Sequence, residues 1–210
     1  MVDCGCIHDV HATKRIVLTG GPGAGKTAVL ELVRHALCRH LRVLPEAASI
    51  VFGGGFPREP GDGARRAAQR AIFHVQRELE AATVASGIAI ALCDRGTVDG
   101  AAYWPGPGEL WPAVATTLDA ELARYDAVIH LRTPAAGSGY DHSNPLRVET
   151  AAEAHALDER IAAAWARHPR RFEVAPSQDF LAKATRAVEL LRAELPACCR
   201  RHVPIPQPAV

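Results

Sequence analysis

Apolar residues in this chain come in short runs, and between the runs they recur every three or four positions. The runs Ile16-Val17-Leu18-Thr19, Leu41-Arg42-Val43-Leu44, Ile88 to Cys93, Ala127 to Leu131 and Arg171 to Ala175 read as strands. Ile88 to Cys93 is apolar throughout, which suits a strand buried on both faces. Val29, Leu30, Val33, Leu37 and Leu41 follow the helical period and predict a helix over Thr27 to Leu41. Ile72, Phe73, Gln76, Leu79 and Val84 do the same from Ala64 to Ser86, where Gly87 stops the pattern. Further helices are expected at Ala47-Ala48, over Leu110 to Tyr125, over Val148 to Arg167, and from an N-cap at Ser177 through Leu195. Residues 53–63 and 133–146 are rich in Gly, Pro and polar residues and read as loops.

Strands alternating with helices predict a three-layer α/β/α domain with a mainly parallel sheet of about five strands. We place it at residues 14–195, between a tail at 1–13 and a proline-rich tail at 196–210, with a lid loop at about 133–150. Ligands of such sheets bind beyond the carboxyl ends of the strands.

The first predicted strand runs straight into Gly20-Gly21-Pro22-Gly23-Ala24-Gly25-Lys26-Thr27, the G-x-x-x-x-G-K-[ST] spacing of a phosphate-binding loop, with Ala28 opening the helix. A polyphosphate must be held by many backbone N–H groups pointing into one concavity, and side chains would block that approach. The helix that follows offers further free N–H groups and a partial positive charge. The pattern assigns Lys26 to the β- and γ-phosphates and the Thr27 hydroxyl to Mg²⁺. A glycine-rich turn that bound nothing would have no need of the Lys-Thr pair.

Other candidates sit at strand ends. Asp94 closes the third predicted strand, where an acidic residue can hold Mg²⁺; its plainer role is to cap the next turn. Arg95 beside it can stabilise charge on a transferring phosphoryl group. Glu46 closes the second strand and is a candidate to orient or deprotonate an attacking hydroxyl. Gln76, in mid-helix, and Asp99, just past the third strand, are candidates to contact an acceptor. Arg132 and Arg147 bracket the lid loop, and Arg147 is the better candidate for an arginine that closes over phosphates.

Composition narrows the function classes. Hydrophobic content of 48% with 22% charged residues indicates a packed core, and a net charge of +1 supplies no bulk field for nucleic acid or anionic membrane. Any anion site is therefore local. There is no run of eighteen apolar residues, and the first fifteen residues lack the basic-then-apolar order of a signal peptide, so the expected location is the cytoplasm. Six cysteines are then expected as thiols. Cys4, Cys6, His8 and His11 form one metal-capable tract, and Cys198 and Cys199 near His202 another. Neither has standard zinc-site spacing, and both are read as tail segments. Cys93 is read as core.

Taken together, GGPGAGKT, LPEAA, FHVQRELE, DRGTVDGAAYW, YDAVIHL and NPLRVE resemble the AAA_28-type P-loop proteins, relatives of nicotinamide riboside kinase-type domains, over about residues 14–192. The resemblance implies a P-loop nucleoside- or nucleotide-kinase-like fold. It implies triphosphate binding at Gly20 to Thr27, a metal and catalytic pair at Asp94-Arg95, Glu46 facing the acceptor, and Arg147 in the lid. The chain departs from the family in carrying Asn144-Pro145-Leu146 where an acidic-Gly pair often precedes the lid arginine.

The leading expectation is Mg²⁺-dependent phosphoryl transfer from ATP to a small hydroxylated, nucleoside-like metabolite. The alternative is a nucleotide-dependent switch or slow NTPase acting through a partner, and a weaker third is a binder of anionic metabolites or lipid headgroups that uses the loop without chemistry. The guanine-reading N-K-x-D signature is absent, which argues against a standard GTPase and leaves GTP itself open. The pattern does not address oligomeric state.

Overall fold

The computed structural model describes residues 6, 10–134, 150–177 and 179–200. Five parallel strands, β1 (Lys14–Thr19), β2 (Leu41–Leu44), β3 (Ile90–Asp94), β4 (Ala127–Leu131) and β5 (Arg171–Val174), lie in the order β2-β3-β1-β4-β5. In register, Leu18 of β1 faces Asp94 of β3 and Thr19 faces His130 of β4, so β1, β3 and β4 end at one level.

Residues alternate faces along a strand. Ile16 and Leu18 therefore enter one core, with Leu30 and Val33 of α1 (Lys26–Ala36) and Leu191 of the later helix Phe180–Glu194. Val17 enters the other, with Phe73, Cys93, Ile161 and Trp165. Trp165 is fully buried. Each such aliphatic side chain contributes about 1.5–3 kcal/mol by leaving water.

The remaining elements are α2 (Ala47–Gly53), α3 (Asp62–Ala85), a 3₁₀ turn at Thr97–Asp99, α4 (Gly100–Tyr103), α5 (Leu110–Ala113), α6 (Leu118–Leu122), α7 (Ala151–Ala164), α8 (Phe180–Glu194) and α9 (Ala197–Arg200). No described helix is long and apolar enough to cross a membrane.

Several boundaries differ from the sequence reading. The helix expected over 110–125 is two short ones. The first ends at Ala113, Ala115 turns left-handed at φ 53°, and the Thr117 side chain caps a fresh start by accepting from the Ala120 N–H. The first helix stops at Ala36, with Leu37 extended. Asp179, not Ser177, caps α8, accepting from the N–H groups of Leu181 and Ala182, while the Ser177 hydroxyl accepts from the Asp179 N–H. The helix expected from Val148 to Arg167 runs from Ala151 to Ala164, opened by a reciprocal Thr150–Glu153 cap.

Candidate active site

The loop from Gly20 to Gly25 leaves β1 between β3 and β4 and delivers Lys26, Thr27 and Ala28 to the first turn of α1. Close packing explains its first two glycines. Gly20 has φ +140°, and a Cβ there would overlap the Leu131 carbonyl oxygen. A Cβ on Gly21 would sit 2.6 Å from Thr133 Oγ1 and 2.8 Å from Asp158 Cβ. The loop backbone is thus pressed against the exit of β4 and the inner side of α7.

Lys26 Nζ donates to the carbonyl oxygens of Gly20 (2.7 Å) and Gly21 (3.1 Å), so the loop holds its own ammonium. Burial, then the nearby Arg95 guanidinium, lower its pKa to about 7. Thr27 and Ala28 are exposed at the helix start.

At the end of β3, Asp94 Oδ1 is buried and has no hydrogen-bond partner among the described residues. Burial pushes the Asp94 carboxyl up, and Lys26 pulls the other way. A buried carboxylate oxygen with its acceptor capacity unused, lining the same cleft as the loop threonine Thr27, is a donor set that fits Mg²⁺.

The next residue carries strain. Arg95 has φ 69°, a left-handed conformation costly for a long side chain. That turn aims its guanidinium sideways: Nε donates to Glu46 Oε1 at 2.7 Å, Nη1 lies 3.4 Å from Asp99 Oδ1, and the plane sits over the Tyr103 ring. Burial works against the Glu46 carboxylate, but Arg95 and the Ser49 hydroxyl outweigh it and hold its pKa below the usual range. Asp99 is buried and also accepts from Thr19 Oγ1, the Gly96 N–H and Trp165 Nε1. Gln76 is buried too, donating to Glu80 Oε1 at 2.8 Å.

A cleft of about 520 Å³ joins these groups. Lys26, Thr27, Asp94 and Arg95 line it together with Phe52, Arg58, Arg65, Phe73 and Gln76 from α2, α3 and the loop between them. Arg58 stacks on Phe52, 4.2 Å from the ring centroid. The structure therefore brings Lys26, Thr27, Glu46, Gln76, Asp94, Arg95 and Asp99 to one cavity. Arg147 and most of the expected lid loop lie outside the described residues.

Two supports were not apparent in the sequence. Asp158 of α7 is fully buried and accepts from the Gly21 N–H (2.7 Å) and, at 3.3 Å, from the Thr133 N–H. His130 Nε2 lies 2.9 Å from Oδ1, and Arg132 Nε pairs with Oδ2 at 3.2 Å. Arg132, expected at the edge of a lid, is thus tied to α7. Lys183 of α8 donates to the carbonyls of Ala24 (2.9 Å) and Arg132 (2.6 Å), linking the loop to the end of β4, and burial lowers its pKa to about 8.

The AAA_28 family model, described as an AAA domain, matches residues 15–183. The chain belongs to the AAA_28 family. No curated protein matches it in sequence. Among solved structures it is similar to thymidylate kinase from Candida albicans, with a TM-score of 0.55 and 13% identity, over 87% of this chain and 92% of that one. At that identity the likeness establishes a P-loop nucleotide-kinase fold for this AAA_28 member.

Proposed function

We propose that this protein transfers the γ-phosphoryl group of ATP to a hydroxyl of a small nucleoside-like metabolite, with Mg²⁺. The observation that carries the reading is the continuity of the cleft. The phosphate loop opens directly into a walled chamber with aromatic, arginine and glutamine side chains. Hydrolysis by water would need no such chamber.

In this reading the backbone amides of Gly20 to Thr27 and the Lys26 ammonium hold the triphosphate, and Thr27 with Asp94 hold Mg²⁺, which neutralises phosphate charge when bound. Glu46, kept ionised by Arg95, accepts the hydrogen bond of the attacking hydroxyl and takes its proton late. A new oxygen–phosphorus bond forms as the β–γ bridging bond breaks, and ADP leaves. Arg95, held by Glu46 and Asp99, offers positive charge to the transferring group. Phe52, Phe73 and Gln76 contact the acceptor, and Arg58 and Arg65 give that wall capacity for an anionic substituent.

The test is ADP release across a panel of nucleosides and nucleoside monophosphates with ATP or GTP and Mg²⁺, after thermal-shift screening for stabilising pairs. Acceptor-stimulated ADP release is the expected result. Tight Mg²⁺-nucleotide binding with acceptor-independent hydrolysis would instead indicate the switch or slow NTPase.

A further inference from the structure

At the end of the sheet away from the phosphate loop, three segments converge on one imidazole. Cys38 and His40 lie in the turn that enters β2, closed by the Leu41 N–H donating to the Cys38 carbonyl at 3.1 Å. Cys199 comes from α9, the last described helix. The N-terminal segment brings Cys6 and His11 as it leads into β1. Cys38 Sγ lies 3.7 Å and Cys199 Sγ 3.3 Å from His40 Nδ1, and all three ligand atoms fall within 4.8 Å of one another. Cys6, His11 and His40 form a second such group, with Cys6 Sγ 3.7 Å from His11 Nε2 and the two imidazole rings edge to face at 4.7 Å.

We propose that Cys38, His40 and Cys199 bind Zn²⁺, with the remaining ligand supplied from the N-terminal segment by Cys6 or His11. Metal–sulfur and metal–nitrogen bonds of about 2.3 and 2.05 Å in a tetrahedron put sulfur and nitrogen about 3.6 Å apart. The two contacts at His40 Nδ1 bracket that spacing. Cys38, His40 and Cys199 are all buried, so the site is dry and closed, as structural zinc sites are. Its backbone is anchored: the His40 carbonyl accepts from the Ile90 N–H of β3, the His11 N–H donates to the Gly87 carbonyl, and Arg39 reaches the Cys6 carbonyl. A four-coordinate ion here fastens the segment of Cys6 and His11 and the helix α9 to the turn that enters β2. It also explains metal-capable residues in two segments that sequence spacing alone left as tails, since both meet His40 in the turn before β2.

The experiment is metal analysis of the whole protein, purified from zinc-supplemented medium and passed through a desalting column. One zinc per chain is expected, and exchange for Co²⁺ should produce the intense visible bands of a tetrahedral thiolate-bound ion. Titrating wild-type protein with a mercurial thiol reagent should release the zinc in step with the thiols, a reading that needs no variant to fold. Cys38→Ser and Cys199→Ser should each lose the metal, whereas Cys93→Ser and Lys26→Ala should keep it. Wild-type protein with less than about a tenth of an equivalent of zinc and no such Co²⁺ bands would overturn the proposal. So would a Cys38–Cys199 disulfide in the wild type, or full zinc content in the Cys38→Ser, Cys199→Ser double variant.

Discussion

Asp158 accepts a hydrogen bond from the Gly21 N–H at 2.7 Å, across 137 residues of sequence. The same carboxylate meets His130 and Arg132, so one buried group on α7 fixes the start of the phosphate loop against the end of β4. Asp158→Ala leaves the buried His130 imidazole and the Gly21 amide without that partner, and leaves Arg132 with Glu159 alone. Such losses cost about 3–5 kcal/mol, or roughly 6–20 °C in melting temperature for a chain this size. Thermal unfolding should show that fall, together with weaker nucleotide binding. Burial opposes the Asp158 charge, but His130 and Gly21 outweigh it and hold its carboxyl below 3.8, so its stabilising contribution is intact above about pH 4 and fades as pH falls further.

Lys26→Ala should lower kcat by about 10²–10³, the usual effect of removing one donor that faces developing charge. The free protein should lose no stability, because the substitution also removes a buried ammonium. Steady-state ADP release and a melting curve on the same sample check both halves.

Lys26 also predicts proton uptake on nucleotide binding. In the free protein its pKa is lowered from 10.5 to about 7, so the unfolded chain holds more protons than the folded one between those values. Its penalty on folding is full below about pH 7 and is lifted as pH rises through that window. Phosphates beside the ammonium raise its pKa again. Calorimetry near about pH 8, in buffers of different ionisation enthalpy, should register close to one proton taken up per nucleotide. Identical heats in all buffers would contradict this.

Glu46→Gln tests the acceptor side. The amide keeps the shape and a hydrogen bond to Arg95 but loses the charge. We expect kcat to fall by about 10²–10⁴ with the KM for ATP nearly unchanged, the pattern of a group that acts on the attacking hydroxyl. A rise in the KM for ATP at constant kcat would place Glu46 in nucleotide binding instead.

The parts of the site legible in the sequence are those built from neighbours in the chain. A strand, a glycine loop and Lys26-Thr27 need only consecutive residues, because the anion cup is made of their own backbone. Asp94 and Glu46 could be picked out because a polar residue closing an apolar run lands at the carboxyl edge of a parallel sheet whatever packs around it. Boundaries set by capping were misplaced where two polar residues competed, as with Ser177 and Asp179.

Pattern alone determined the order of strands and helices, the position of the phosphate loop and the edge on which the strand-end acids emerge, because periodicity and turn chemistry act over a few residues. Tertiary structure alone decided that Arg95 bridges Glu46 and Asp99, that Asp158 and Lys183 brace the loop, that Phe52, Arg58 and Phe73 share a cleft with Lys26, and that Cys38, His40 and Cys199 meet. These contacts join segments far apart in the chain, and nothing in local propensity encodes which buried side chains will find one another once the sheet has closed.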